Sequence, residues 1–240
     1  MEQTDRLWAD GPQFFYDDAL FQPSTDTFLL GDFVRTRRGE RICDLGAGTG
    51  LLGLLLLARQ PELTVVGVEI QRAACRLTQR TAEENGLAGR LIPYEADLRR
   101  TEQLPPAGSF DAVVSNPPYF AAGSGLVSPD GSRGAARSEV LCTLADVCAA
   151  AARLLRSGGR FSLVLRPDRM AELFGLVQKY QLEPKRFRLV QYSAAAVPSL
   201  LLLECRKDGH TGLTAEPTLL LRSADGQETE ESRRIYFKDR

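Results

Sequence analysis

A glycine-rich turn between an apolar strand and an apolar helix constrains the fold of this chain more than any other feature. Residues 41–45 (RICDL) have the composition of a short buried strand, and Gly-Ala-Gly-Thr-Gly follows at residues 46–50. Residues 51–58 are mostly leucine and predict an apolar helix. Glycines let a backbone approach a ligand closely, and the first turn of a helix presents free N–H donors. This order of elements therefore predicts an α/β fold with a ligand site at the turn.

Acidic residues follow the next two predicted strands. Residues 63–68 predict a strand that ends in Glu69. An acid about 20 residues beyond the glycines is typical of the group that accepts ribose hydroxyls. This combination favours a nucleoside cofactor over a structural turn with a surface glutamate. Residues 90–95 predict a third strand, which Pro93 weakens or places at a sheet edge. Asp97, which follows it, is either an adenine-binding acid or a cap or turn residue.

A second motif, Asn116-Pro117-Pro118-Tyr119, follows the predicted strand at residues 110–115. The prolines restrict the backbone, the Asn116 amide offers an acceptor and a donor, and Tyr119 adds an aromatic ring. These residues predict a rigid polar shelf that suits a planar amine, although an ordinary strand-terminating turn has the same composition. If the sheet places this strand beside residues 41–45, both motifs face one pocket, since ligands bind at the carboxyl ends of such strands.

Composition narrows the classes of protein. The net charge of -1 provides no global basic field, so any contact with nucleic acid must come from local clusters. His210 is the single histidine, and no CxxC motif occurs, which argues against histidine zinc sites and Ser-His-Asp triads. The five cysteines predict buried, reduced thiols, and no apolar run has membrane length, so we expect a cytoplasmic protein without a metal. The cysteines are Cys43, Cys75, Cys142, Cys148 and Cys205.

The remaining segments suggest one main domain with two flanking pieces. We expect residues 1–24 to form an aromatic arm or hairpin, residues 25–206 the main domain, and residues 207–240 a tail that packs on it. A helix is predicted to begin near Ser24, Thr25 or Asp26. Residues 185–192 and 198–206 predict a terminal hairpin. The candidates for phosphate contact are Arg35, Arg37, Arg38, Arg133, Arg137, Lys185, Arg186 and Arg188.

With the glycine turn, Glu69 and the Asn-Pro-Pro-Tyr motif in place, the chain resembles class I S-adenosylmethionine-dependent methyltransferases of the amino-methylating branch. More narrowly, it resembles the tRNA1(Val) (adenine-37-N6)-methyltransferases. This finer resemblance is carried by Thr25-Asp26 before an apolar helix, by Arg137 within an Ala-Arg-x-Glu stretch, and by the acidic run before Ile235-Tyr236.

The resemblance implies a Rossmann-like, seven-stranded, mostly parallel sheet with helices on both faces and an antiparallel last strand. It implies S-adenosylmethionine as cofactor and tRNA as partner. The implied cofactor site consists of Asp44, the backbone of Gly46, Gly48 and Gly50 around the methionine part, Glu69 at the ribose, Asp97 at the adenine amino group, and Asn116. The implied catalytic residues are Asn116, Pro117 and Tyr119, and the implied substrate contacts are Asn116, Pro117, Pro118, Tyr119 and Arg137.

Other substrates fit the same shelf. A protein glutamine N5-methyltransferase would use the same chemistry on a planar amide, although such enzymes usually carry an N-terminal helical domain, for which residues 1–22 are too short. Methylation of rRNA guanine N2 or DNA adenine is a further alternative, although DNA enzymes usually have an added target-recognition region. A non-catalytic module that binds the cofactor has no need for Asn116.

Overall fold

The computed structural model of the chain describes residues 1–20, 23–117 and 142–240. Within these ranges the strands are β1 (Glu2–Arg6), β2 (Gln13–Asp17), β3 (Arg41–Leu45), β4 (Thr64–Glu69), β5 (Leu91–Glu95), β6 (Phe110–Ser115), β7 (Leu155–Leu165), β8 (Leu182–Gln191), β9 (Leu200–Lys207), β10 (Thr214–Ala215) and β11 (Leu219–Leu220). The helices are α1 (Thr25–Phe33), α2 (Leu51–Arg59), α3 (Arg72–Glu84), α4 (Leu144–Leu154), α5 (Met170–Lys179) and α6 (Glu230–Ile235), with a short 3-10 turn at Pro167–Arg169.

The central sheet has the strand order β10-β8-β9-β7-β6-β3-β4-β5, and β11 also pairs with β8. Strands β3 to β7 run parallel to one another, whereas β9 runs antiparallel to both β7 and β8. This confirms the mostly parallel sheet with an antiparallel last long strand. Strand β5, which contains Pro93, lies at an edge of the sheet as predicted.

The sheet is wider than the predicted seven strands. Over the described residues it has nine, because β10 and β11 of the predicted tail each add two residues along β8. An edge strand leaves a row of backbone N–H and C=O groups unpaired, and short tail segments can pair with them. The tail therefore completes the edge of the sheet as well as packing on it.

Side chains alternate between two apolar clusters, one on each face of the sheet. Ile42 belongs to the cluster that contains the leucines of α1 and α2, and its neighbour Cys43 belongs to the cluster beneath α4 and α5. Successive residues of a strand point to opposite faces, so a strand covered on both sides needs an apolar residue at nearly every position. This explains why the central strands are short continuous apolar runs.

The N-terminal residues form the hairpin β1–β2, which packs against α3. The side chain of Asn85 bonds both backbone groups of Gln13, at 2.9 and 2.6 Å. The backbone N–H of Phe15 donates to Thr81 Oγ1 at 3.2 Å, and the Arg80 guanidinium lies 3.9 Å from the centroid of the Phe15 ring. The predicted aromatic hairpin is thus held by polar contacts as well as by ring burial.

Two helix starts differ in how they are capped. Helix α4 begins at a capping box in which Thr143 Oγ1 accepts from the Asp146 backbone N–H at 3.2 Å and Asp146 accepts from the Thr143 backbone N–H at 2.8 Å. Ser24 occupies the N-cap position of α1 but makes no side-chain cap bond, and Asp26 lies inside the first turn. The Ser24 hydroxyl is therefore available to other partners.

Candidate active site

The two motifs leave neighbouring strands at the same edge of the sheet. Strands β3 and β6 pair directly in parallel, with Asp44 opposite Val114. Their carboxyl ends therefore lie side by side. The Ser115 hydroxyl donates to the Leu45 carbonyl at 2.8 Å and ties the two strand ends together. The condition for a shared pocket, that the two strands are neighbours, is met.

The glycine turn needs glycine for two different reasons. Gly46, Gly48 and Gly50 have φ values of +71°, +53° and +80°, a region that favours glycine over residues with a Cβ. A Cβ on Gly46 would meet no atom within 4 Å, so space lies open beside its backbone. A Cβ on Gly50 would lie 2.6 Å from Thr78 Cγ2, so Gly50 also permits close packing against α3. The open side of the turn is therefore at Gly46.

Glu69 is buried and braces the turn. Its Oε2 accepts from the Gly48 backbone N–H and its Oε1 accepts from the Gln71 backbone N–H, both at 2.9 Å. A carboxylate has about four lone-pair sites, so each oxygen retains acceptor capacity for a ligand hydroxyl. The residue that the spacing predicted as a ribose acceptor thus also fixes the position of Gly48.

Asp44 is the most perturbed carboxyl group of the site. Its side chain is 2% exposed, and its Oδ2 has no hydrogen-bond partner among the described residues. Burial, with a smaller contribution from the nearby Glu69 charge, raises the pKa of Asp44 to about 8. Buried polar atoms are rarely left unsatisfied outside functional sites. An orphaned carboxyl oxygen beside the glycine turn therefore fits a site whose ligand brings a hydrogen-bond donor or a cationic group.

Asp97 follows β5 at the same edge of the sheet, and its carboxylate is paired with Arg99. Arg99 Nη2 lies 2.7 Å from Oδ2, and the Arg99 backbone N–H donates to Oδ1 at 3.0 Å. These bonds lower the pKa of Asp97 below its usual value. The contacts are those of a turn residue, the second interpretation of the sequence, and the role toward adenine stays a prediction.

Asn116 is oriented by the start of α1, which the sequence did not indicate. Its Nδ2 donates to Thr27 Oγ1 at 2.9 Å and to Ser24 Oγ at 3.4 Å, and the two hydroxyls lie 3.1 Å apart. Thr27, the acceptor, is 3% exposed, whereas the donor Asn116 is half-buried. Since the amide is planar, fixing its nitrogen also fixes the direction of its oxygen.

The remaining shelf residues are only partly covered by the structure. Pro117 is buried directly after Asn116. Pro118, Tyr119 and Arg137 lie outside the described residues, as do Arg133, Ala136 and Glu139. Their predicted roles therefore stay predictions.

Thiol and metal chemistry find little support in the described part of the chain. All five cysteines are unpaired, and four of them are buried. Burial raises the pKa of Cys142 and of Cys148 to about 12, so neither thiol is activated as a nucleophile at neutral pH. In residues 1–20, 23–117 and 142–240, no group of three or more His, Cys, Asp or Glu side chains is arranged to hold a metal ion, and no helix is long and apolar enough to cross a bilayer.

Comparisons with known proteins give a family and named relatives. The model of the methyltransferase small domain matches residues 22–190. A tRNA1(Val) (adenine(37)-N6)-methyltransferase of Parabacteroides distasonis is 32% identical over 191 residues, covering 79% of this chain and 78% of the relative. A protein of the same name from Tolumonas auensis is 31% identical over 213 residues, covering 88% and 86%.

Solved structures give the same fold. A crystal structure of a predicted O-methyltransferase from Agrobacterium tumefaciens superposes with a TM-score of 0.73 at 22% identity, over 89% of this chain and 96% of that chain. The 16S rRNA N2 G1207 methyltransferase of T. thermophilus, solved with AdoMet and guanosine, has a TM-score of 0.58 at 25% identity. That match covers 86% of this chain and half of the other.

Proposed function

This chain belongs to the methyltransferase small domain family, and on that premise we propose that it is an S-adenosylmethionine-dependent tRNA adenine-N6 methyltransferase. The proposed target is A37 of a tRNA1(Val)-like substrate, following the names of the relatives. The observation that carries the proposal is the pairing of β3 with β6, which sets the glycine turn beside an Asn116 amide held at 2.9 Å by Thr27.

The residues at the glycine turn suit the cofactor. The backbone of Gly46 is open on one side, where we place the methionine part of the cofactor, and Glu69 retains acceptor capacity for ribose hydroxyls. The unsatisfied Asp44 Oδ2 suits a ligand that carries donors and a positive charge. When bound, S-adenosylmethionine supplies a methyl group on a cationic sulfur. Gly48, Gly50 and Asp97 complete the proposed cofactor site.

The shelf residues act on the amine. The lone pair of adenine N6 is delocalised into the ring, which makes the nitrogen a weak nucleophile. We assign to Asn116 Oδ1 and the Pro117 carbonyl the role of accepting one hydrogen bond each from the two N–H groups of N6. The nitrogen then becomes pyramidal, and its lone pair becomes available. Acceptors that are positioned in advance stabilise the charge that develops on the nitrogen. Pro118 keeps the shelf rigid, Tyr119 stacks on the base, and Arg137 contacts the RNA backbone.

The test is Asn116→Ala with methyl transfer and cofactor binding measured separately. We expect transfer to tRNA to fall at least ~100-fold, as for the loss of one preorganised polar contact, while calorimetry still detects S-adenosylmethionine binding. Glu69→Ala is the matched variant with the opposite expectation, since it should weaken cofactor binding. Near-normal turnover of Asn116→Ala would contradict the assigned role.

The product identifies the substrate class. Mass spectrometry of nucleosides from tRNA incubated with the enzyme should detect N6-methyladenosine. N2-methylguanosine in rRNA, or N5-methylglutamine in a release factor offered in parallel, would instead support one of the other amine substrates. A tRNA substrate and unpaired thiols are together consistent with a cytoplasmic enzyme.

A further inference from the structure

A cavity lies at the opposite end of the sheet from Asn116. It has a volume of about 380 Å³ and opens at the amino ends of the parallel strands. We call it the basic cavity, because five of the seven residues that line it are cationic. The lining residues are Arg37, Arg156, Gly158, Arg160, Lys185, Glu204 and Arg206.

An irregularity in β7 creates one wall of the basic cavity. Phe110 pairs with Leu155 and Ala112 pairs with Arg160, so β7 has four residues, 156–159, where β6 has only Asp111. Gly158 lies in this bulge with φ +71°, and its carbonyl accepts from Arg206 Nε at 3.1 Å. The bulge thereby brings a carbonyl acceptor to the guanidinium of the antiparallel neighbour strand. Bulges commonly re-aim side chains near functional sites.

Some of the charges in the basic cavity are already balanced. Arg160 pairs with Glu40 at 2.7 Å, and Arg156 pairs with Asp111 at 2.7 Å. The one acidic lining residue, Glu204, is buried in an ion pair of 2.9 Å with Arg186. These pairs contribute little net charge to the cavity.

Three of the cations that line the basic cavity are not neutralised by a carboxylate in the part of the chain that the structure describes. Within the described ranges, Arg37, Lys185 and Arg206 form no ion pair with a carboxylate. Lys185 and Arg206 donate only to backbone carbonyls, those of His210 and Gly158. Like charges gathered around a recess repel one another and raise the local concentration of anions. By contrast, Arg35, Arg38, Arg186 and Arg188, also candidates for phosphate contact, each pair with a glutamate.

We propose that the basic cavity binds a compact polyanion that carries two or more phosphate groups, such as pyrophosphate or a nucleoside diphosphate. Guanidinium groups match phosphate oxygens with two parallel hydrogen bonds, and a lysine adds a point charge. The volume is within the range of about 300–1,000 Å³ that is usual for small-ligand sites. A strand of six residues spans roughly 20 Å, so an amine held at Asn116 does not reach the cavity.

The test uses the full chain and calorimetric titration with inorganic pyrophosphate and, in parallel, with ADP. We expect saturable binding by the wild type and a loss of at least ~10-fold in affinity for each of Arg37→Gln and Arg206→Gln, the usual effect of removing a charge-assisted bond. Arg38→Gln is the matched control, because Arg38 neighbours Arg37 but pairs with Glu62 outside the cavity. It should bind both anions like the wild type.

The outcomes separate this proposal from the proposed function. Cofactor binding and methyl transfer should be unchanged in Arg206→Gln, and thermal unfolding should show that Arg37→Gln and Arg206→Gln are both folded. Tighter binding of ADP than of pyrophosphate would identify a nucleotide as the source of the phosphates, and equal binding would identify the phosphates alone. Absence of anion binding to the wild type, or equal losses in Arg38→Gln, would overturn the proposal. So would reduced tRNA binding without pyrophosphate binding.

Discussion

Thr27→Val tests whether the start of α1 positions the Asn116 amide. Valine keeps the branched shape of threonine and replaces only the hydroxyl that accepts from Asn116 Nδ2 at 2.9 Å. Ser24 Oγ also accepts from this nitrogen, but at 3.4 Å, too far to replace the bond without movement. The substitution therefore removes the shorter of the two bonds that hold the amide to the start of α1.

The magnitude follows from the net contribution of one hydrogen bond, about 0.5–1.5 kcal/mol, because Asn116 is only half-buried. If the amide keeps its orientation, this cost appears as lost stability. If the amide rotates to find another partner, the acceptor oxygen leaves the position that the reacting nitrogen requires, and the cost appears in the transition state. Because about 1.4 kcal/mol corresponds to a tenfold change in rate, kcat should fall ~2- to ~12-fold.

The assay is steady-state methyl transfer to tRNA, with S-adenosylmethionine binding measured by calorimetry and stability by thermal unfolding. Thr27→Val should lower kcat and leave KM for the RNA nearly unchanged, and Thr27→Ser should restore kcat because it keeps the hydroxyl. An unchanged kcat in Thr27→Val with intact stability would refute the positioning role. A loss in Thr27→Ser with normal kcat in Thr27→Val would assign the effect to packing of the methyl group.

Two further predictions concern the turn and its neighbouring acid. The pKa of Asp44 is about 8 in the folded chain against an ordinary 3.8, so the folded state keeps a proton that the unfolded state releases. The wild type therefore loses stability from this group as the pH rises from about 4 to about 8. Without ligand, the melting temperature of Asp44→Asn minus that of the wild type should increase between pH 5 and 8. A difference in melting temperature that stays constant over this range would contradict the prediction. Gly39 and Gly50 both have positive φ, but only Gly50 lacks room for a Cβ. Urea unfolding should give a loss of about 1–2 kcal/mol for Gly39→Ala and about 1–3 kcal/mol more for Gly50→Ala; equal losses would show that Thr78 yields without cost.

The central strands could be predicted closely from the sequence. The predicted strands at residues 41–45 and 110–115 have the same bounds as β3 and β6. Each is a short apolar run that ends at a glycine or at Asn-Pro, and such residues stop a strand through local backbone geometry alone. Local sequence patterns were therefore sufficient to locate the two strand ends that carry the glycine turn and Asn116.

The start of β7 could not be predicted from local sequence patterns. Taken alone, Ser157-Gly158-Gly159 indicates the end of a helix, and residues 160–166 indicate a strand that begins at Arg160. In the structure, β7 begins at Leu155 and contains the bulge. Glycines permit a turn and a bulge equally, and pairing with β6 and β9 decides between them. The basic cavity depends on this long-range pairing, so its lining could not be assembled from the sequence.

The contact between Thr27 and Asn116 joins residues that are 89 positions apart, and it makes the site depend on elements beyond its own strands. Leu7 of the arm, Leu29 of α1 and Phe237 of the tail belong to one apolar cluster. The rings of Trp8 and Phe237 also lie 5.0 Å apart, which joins the two termini on that face. Since α1 carries Thr27 on the same helix that contributes Leu29, the packing of both termini supports the element that orients the Asn116 amide. The division of the chain at residues 24 and 206 stays a prediction, and the cluster gives a physical reason for all three segments to act on one site.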